Sequence, residues 1–435
     1  MNDEGFSFDC LELTADRLGE FLADFTDCFV DLRKKTLRSI LFYTTGLLSQ
    51  TNRKNIERIA EQDESVNYQN IHNGVSSVPW DHELVFNHVA KRANTTFSQS
   101  DDSALLIDES GFTKKGVKSV GVSRQWNGRL GKVDNCQVGV FGVLSSKAMA
   151  CPINAKLFLP EKWINDPDRC REAGVPEQRI EFLTKIDLAK QIIEEAISQR
   201  IDFKWVGFDS FYGRDKTFLA WIEDKGREFV GDIPHNTKVR LPGSTREMTV
   251  EQLVENRKFK VKRLRPQCKG FLDLEAMSVG VEVKISKTEW RTWRLIATRE
   301  IDGGDTKFSL SNSFSDSLER LAYKQRQRFW VEKSFEDAKT SSGMAQYQVR
   351  KWQGWHHHMA LVMIAMLFMF EERVQNNEEL PLLTCQDIVT VIDHCLFKSK
   401  QTLEDRIGAI EQRHFKRYTD IARRQSKHRS DCQQI

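Results

Sequence analysis

Arg328, Glu332 and Lys339 lie at i, i+4 and i+11 in the stretch LAYKQRQRFWVEKSFEDAK, Leu321 to Lys339. At 3.6 residues per turn, these offsets place the three side chains within roughly 40° of one another on a helix. A carboxylate between two cations on one stripe suits a site that binds a metal ion and a phosphodiester. Glu336, at the edge of the stripe, is the alternate carboxylate. An exposed helix with i,i+4 ion pairs would show the same pattern, so the chemistry needs partners from elsewhere in the chain.

Two aspartates are the candidates. Ala104-Leu-Leu-Ile-Asp108 and Lys204-Trp-Val-Gly-Phe-Asp209 are both apolar runs that close on an acid. Ligands of open α/β sheets bind beyond the carboxyl ends of the strands, where Asp108 and Asp209 would meet if their strands are neighbours. Each alone also fits a turn residue or a helix cap. Ser119–Ser123, Gln137–Leu144 and Pro152–Leu159 read as further strands, and Ile180–Ile201 as an amphipathic helix with Leu188, Ile192 and Ile193 on its apolar side. Strands followed by a helix and another strand indicate an α/β layer.

The rest of the chain must hold these residues in place. Its 435 residues suggest two or three folding units, and 40% hydrophobic with 29% charged residues fits a soluble globular protein. A net charge of +3 is too mild to diagnose nucleic-acid binding, so the placement of the charge matters more. Nine cysteines without a CxxC read as free thiols of a reducing compartment. The acidic amino terminus lacks the form of a signal peptide. The longest apolar run, Met359–Phe370, has 12 residues, too few to span a bilayer. A cytoplasmic location is expected.

Residues 1–98 carry helical periodicity with basic turns, compatible with a DNA-reading helix-turn-helix or with a plain helical bundle. Residues 99–225 hold the first α/β part, and residues 226–318 form a β-rich block. Within that block Arg257, Lys258, Lys260, Lys262 and Arg263 belong to a nine-residue run, ending at Arg265, with six cations and no acid. Strand alternation would turn part of one face basic and suited to a phosphate backbone; a lysine-protected edge strand reads the same way. Residues 319–375 return to helix. There His356, His357 and His358 point about 100° apart and cannot share one ion, so they read as packing residues. Residues 376–435 hold one apolar segment and a basic tail with Lys416, Arg417, Arg423, Arg424, Lys427 and Arg429, expected to fray and to add non-specific DNA affinity.

Six ordered blocks carry a family resemblance. They are Leu106-Ile-Asp-Glu-Ser-Gly-Phe-Thr-Lys-Lys-Gly116, Ser119-Val-Gly-Val-Ser-Arg-Gln125, Gly128-Arg-Leu-Gly-Lys-Val-Asp-Asn-Cys-Gln-Val138, Phe208-Asp-Ser-Phe-Tyr-Gly213, Val331-Glu-Lys-Ser-Phe-Glu-Asp-Ala-Lys339 and Trp352-Gln-Gly-Trp-His356. With them the chain resembles the DDE superfamily of bacterial insertion-sequence transposases, in the DDE endonuclease group and its insertion sequence 701-like branch. Arg328, Glu332 and Lys339 match the last three positions of that group's Y-x2-R-x3-E-x6-K signature. Tyr323 lies five residues before Arg328 instead of three, and is left out of the site. The branch's usual Asp-Ala-Gly-Tyr-Gly is Asp209-Ser-Phe-Tyr-Gly213 here.

The resemblance implies an α/β fold: an RNase H-like catalytic core interrupted by the β-rich insertion, with an α-helical amino-terminal domain and a basic carboxyl-terminal segment. It implies a catalytic triad of Asp108, Asp209 and Glu332 holding two Mg²⁺ ions, with Mn²⁺ as a substitute and Asp108 shared between the ions. Arg328 and Lys339 would grip phosphates near the scissile bond. Trp290 or Trp293 would either stack on an unpaired base or pack within the sheet. The expected partners are the terminal inverted repeats of the element, target DNA and a second copy of the chain, in a bacterial, nucleoid-associated setting. A metal-dependent nuclease and a domesticated DNA-binding descendant are the alternatives.

Overall fold

Both apolar runs that close on acids are strands, and they are neighbours. A computed structural model of the chain describes residues 9–30, 32–51, 53–63, 65–97, 101–147, 149–264, 272–301 and 304–397, then 404, 407–408, 410–412, 414–415, 417–419 and 421–423. Its first strands are β1 (Ala104–Thr113), β2 (Ser123–Asn127), β3 (Lys132–Ser146), β4 (Met149–Leu157), β5 (Trp205–Phe208) and β6 (Glu228–Ile233). β7 (Lys238–Arg240), β8 (Glu247–Thr249), β9 (Lys260–Leu264), β10 (Leu272–Lys284), β11 (Trp290–Glu300) and β12 (Lys307–Ser311) follow.

Among the described residues these strands form one mixed sheet in the order β2-β3-β1-β5-β6-β12-β11-β10-β7-β8, with β4 also on β3 and β9 on β10. The joints β1–β5 and β5–β6 are parallel and the others are antiparallel. The β-rich block therefore continues the sheet that carries the aspartates. Its first strand, β6, lies directly beside β5.

Among the described residues five α-helices precede the sheet: α1 (Thr14–Asp24), α2 (Lys34–Leu47), α3 (Ile56–Ala60), α4 (Tyr68–Ser76) and α5 (His82–Phe97). Between β4 and β5 come α6 (Glu161–Ile164), α7 (Pro167–Glu172) and α8 (Lys185–Ser198). α8 opens on a capping box in which Thr184 and Asp187 satisfy each other's backbone N–H. α9 (Ser210–Gly213), α10 (Lys216–Asp224) and α11 (Val250–Val254) follow β5 and β8, and the chain continues through α12 (Leu318–Gln327), α13 (Phe329–Ser341), α14 (Trp352–Gln375) and α15 (Cys385–Leu396).

α14 is apolar on every side, and a helix of that kind must be covered all round. α1, α2, α4, α5, α15 and β4 cover it, and every residue from Met359 to Phe370 is buried. No helix among the described residues is long and apolar enough to cross a membrane. The amino-terminal helices thus share one apolar core with the sheet.

Strand alternation assigns the two faces around the site. Gly142 of β3 leaves its face open to Ile192 of α8, while Gly139 faces Trp355 of α14 and Phe141 packs on Phe335 of α13. Asp108 is paired with Phe141 and Glu109 with Val140. Asp108 therefore lies on the α13 side and Glu109 on the α8 side.

Two local expectations change. Ser119–Val122 is a turn, because Gly121 takes a φ of +72°, a left-handed conformation open to glycine, and Val120 donates its N–H to the Arg350 carbonyl. The basic tail is partly folded: Arg417 donates to the buried Asp387 carboxylate at 2.8 Å and to the Leu382 carbonyl at 3.1 Å. Lys416, Arg424, Lys427, Arg429 and Arg265 lie outside the described residues. So do Cys268 and Cys432; the other seven cysteines are free thiols.

Candidate active site

Ile107 pairs with Phe208 across β1 and β5, and Phe208 pairs with Gly231 across β5 and β6. The next residue on each chain is an aspartate: Asp108, Asp209, Asp232. Neighbouring strands lie about 4.8 Å apart, so the ladder alone aligns three acids: Asp108 midway along β1, Asp209 just past the end of β5 and Asp232 late in β6. The turn after β5 is fixed by Asp209, whose Oδ1 accepts from the N–H groups of Phe211 (2.9 Å) and Tyr212 (3.4 Å) as the cap of α9. Gly213 ends α9 because a Cβ there would lie 1.9 Å from the Asp232 carbonyl oxygen. The glycine is needed for space, not for an unusual φ.

Arg328 reaches into the acids from the helix side. The ladder of backbone bonds is interrupted at this residue, which caps both α12 and α13. Its Nε donates to Asp232 Oδ2 at 3.1 Å, and its Nη1 pairs with Glu332 Oε1 at 3.0 Å. Burial works against the guanidinium charge, but Asp232, Asp108, Glu332 and Asp209 together hold its pKa above the ordinary value. Burial likewise raises Asp232, while Arg328 and the Ser309 hydroxyl draw it back. Asp108 shows the strongest effect: burial, followed by the charge of Asp209, pushes it from 3.8 to about 8 against the pull of Arg328.

Two crowded carboxylates, one of them pushed toward its protonated form, are a donor set that a divalent cation relieves, since a bound ion inverts the local preference for protonation. Aspartate oxygens are also the hard ligands Mg²⁺ accepts. Asp108 and Asp209 fit such an ion. Glu332 is 54% exposed and held by Arg328, and among the described residues no three His, Cys, Asp or Glu side chains stand together as a ligand set.

Residues 20–295 match the family model of the DDE superfamily endonucleases. The chain belongs to that family. The match includes Asp108, Asp209 and Asp232 and ends before Arg328 and Glu332. The chain is also similar to the probable transposase for insertion sequence element IS701 of Microchaete diplosiphon, with 24% identity over 337 residues, 76% of this chain and 81% of the relative. Both comparisons agree with the resemblance carried by the motif blocks. The mixed α/β sheet is compatible with a DDE nuclease fold.

The other candidate residues are scattered. Lys339 lies at the far end of α13, about 16 Å along the axis from Arg328 at 1.5 Å per residue, with its ammonium 5.8 Å from the Phe335 ring. Glu336 pairs with Lys333 at 2.9 Å. The Tyr323 hydroxyl donates to Asp102 at 3.4 Å. On the basic run, Lys258 and Lys260 are exposed, but Arg257 donates to the Leu253 carbonyl, Lys262 pairs with Glu319, and Arg263 grips Asp273 through two bonds of 2.7 Å. Strand geometry holds only from Lys260, so the basic face is shorter than expected and partly neutralised.

Base stacking on Trp293 is corrected. Its indole is fully buried, packs edge-on against Phe229 and donates to Glu223 at 3.1 Å, leaving no face for a base. Trp290 is half-buried under the Arg240 guanidinium, 3.6 Å from the ring centre. The three histidines are packing residues as expected. His357 stacks on Trp80, His358 meets the Tyr43 hydroxyl and His356 meets the Trp352 carbonyl.

Sequence reasoning missed Asp232, although its signal was the one used for the other two: Glu228-Phe-Val-Gly-Asp232 is a short apolar run that reaches an acid. It also missed Glu109, which on the opposite face accepts from Lys185 at 2.7 Å and Tyr212 at 3.1 Å. These bonds tie β1, α8 and α9 together beneath the site.

Proposed function

We propose that the protein is a DNA transposase that cuts the ends of an insertion sequence and joins the freed 3′-hydroxyl to target DNA. The observation that carries this reading is the alignment of Asp108 and Asp209 by adjacent parallel strands beside Arg328, which also pairs with Glu332, in a DDE superfamily endonuclease. The similarity to an insertion-sequence transposase supports it. The strand order β4-β3-β1-β5-β6, with two antiparallel joints and then two parallel ones, supports an RNase H-like core.

Asp108, Asp209 and Glu332 would hold Mg²⁺, with Mn²⁺ able to substitute. When bound, two divalent ions activate the attacking oxygen and stabilise the leaving one. Arg328 places a planar, permanently charged fork beside the acids, suited to a non-bridging phosphate oxygen. Lys339 contributes charge farther along the DNA. Water attacks the phosphorus at the element's end and gives a proton to solvent; the P–O3′ bond breaks, the phosphate stays on the 5′ side, and O3′ takes a proton from solvent to become a 3′-hydroxyl. That hydroxyl then attacks a target phosphodiester, and the broken target bond leaves a second 3′-hydroxyl.

Lys258 and Lys260, with the cations of the amino-terminal helices, would track the DNA backbone. Holding two ends together calls for a homodimer on DNA. The test is strand cleavage and joining on DNA bearing the repeats that flank this gene, with Mg²⁺ or Mn²⁺ and Asp108→Ala as control. Nicking and joining that both vanish in the variant establish the transposase. Cleavage without joining makes the protein a nuclease, and binding without cleavage makes it an inactive DNA-binding descendant.

A further inference from the structure

Asp232 belongs to neither the expected triad nor the signature, yet it takes the most protected bond of the site's arginine. Arg328 uses two different edges of its fork: Nε on Asp232 at 3.1 Å and Nη1 on Glu332 at 3.0 Å. The two partners differ in their surroundings. The Asp232 side chain is 18% exposed and that of Glu332 54%.

Asp232 is held in turn from behind. The Ser309 hydroxyl donates to its Oδ1 at 2.6 Å, Gln325 Nε2 donates to Ser309 Oγ at 2.7 Å, and the Thr298 hydroxyl donates to Gln325 Oε1 at 2.5 Å. Ser309, Gln325 and Thr298 are all buried. The chain runs from β11 through α12 and β12 to β6, and each buried link satisfies the next, so the carboxylate has little freedom. Gly213 lets α9 press against the Asp232 backbone from the other side.

We propose that Asp232 is a positioning residue: it keeps Nε of Arg328 anchored while the Nη edge exchanges Glu332 for a DNA phosphate. One motion then does two things. It frees Glu332 to join Asp108 and Asp209, and it aims the guanidinium at the scissile phosphate without releasing it to solvent. The exposed bond is the one exchanged, because breaking it costs less than stranding a charge at the buried one.

The inference rests on the cleavage reading above, and the experiment separates the two. Single-turnover nicking of a duplex carrying the flanking repeat is measured in Mg²⁺ for wild type, Asp232→Asn, Arg328→Lys and the double variant. Asp232→Asn is expected to slow nicking roughly 10- to 100-fold, the scale for partners that orient a working group. The double variant should lose little beyond Arg328→Lys alone, because both changes break one device. Asp232→Glu should recover part of the rate.

Wild-type nicking by Asp232→Asn overturns the proposal, and so do losses that multiply in the double variant. If Asp232→Asn fails to fold, Ser309→Ala takes its place: a loss in wild type that disappears in the Arg328→Lys background supports the anchor, and an equal loss in both overturns it. A wild type that nicks no DNA in Mg²⁺ or Mn²⁺ instead removes the cleavage reading itself.

Discussion

The strand half and the helix half of the site are built by different forces. Asp108 and Asp209 are fixed by a parallel ladder whose partners lie a hundred residues apart, and they stay side by side although burial and mutual repulsion raise Asp108 to about 8. Arg328 and Glu332 are four residues apart and meet through an i,i+4 ion pair with one exposed partner. Such pairs contribute a few tenths of a kcal/mol on a helix, whereas a sheet position changes only if the sheet does. The strand half is therefore preformed and electrostatically strained, whereas in the helix half Glu332 is only lightly held by an anchored Arg328.

Asp108→Ala is the largest expected break: metal-dependent nicking falls to background while DNA affinity in a mobility-shift assay changes little. Retained cleavage would take Asp108 out of the site. Arg328→Ala strikes the other half. It should reduce nicking at least as much as Asp232→Asn and also weaken DNA binding, which losing a metal ligand would not do. An Arg328→Ala protein with wild-type affinity would assign the fork a purely structural role.

The strain in the strand half has a pH signature. A carboxyl that holds its proton up to about 8 when folded, against 3.8 ordinarily, makes the native state bind more protons between those values, so its contribution to stability falls as pH rises through that window. Urea midpoints should drop less between pH 5 and pH 8 in Asp108→Asn than in wild type. Mg²⁺ should raise the pH 8 midpoint of wild type alone, because a ligand that binds only the native state stabilises it. Equal pH slopes in the two proteins would show that Asp108 is not strained.

Gly213→Ala tests the packing beneath the aspartates. Its Cβ would lie 1.9 Å from the Asp232 carbonyl, and forced overpacking of this kind costs about 1–3 kcal/mol, readable as a lowered melting temperature. The smallest effect belongs to Glu336→Ala. Its carboxylate is occupied by Lys333, so nicking should stay within about twofold, surface changes away from special features being near neutral. A large loss would make Glu336 the third acid in place of Glu332.

The legible parts of the chain were those where local pattern and tertiary role coincide. Apolar runs closing on acids located β1 and β5, and the i,i+4 spacing located the Arg328–Glu332 pair. Asp232 went unread because its run sits at the start of a block whose texture looked like an insertion, and nothing local shows that β6 pairs parallel to β5. Trp293 stayed open between stacking and packing: an aromatic on a strand reads the same whether it faces solvent or core, and only its packing on Phe229 decides. The continuous stripe from Arg328 to Lys339 was too simple, since the helix breaks at Arg328 and Lys339 lies three turns away.

By itself the sequence determined which residues are acids and cations, which segments alternate or repeat every three to four residues, and the family that the ordered motifs carry. Those properties are local, written in covalent spacing and side-chain type. The tertiary structure decided which acids become neighbours, which face of β1 carries Asp108, which tryptophan is buried and which carboxylate holds Arg328. Each of these depends on strand register and packing between segments far apart in the chain. A one-residue slip in pairing would send every side chain of a strand to the opposite face, so no local pattern contains the answer.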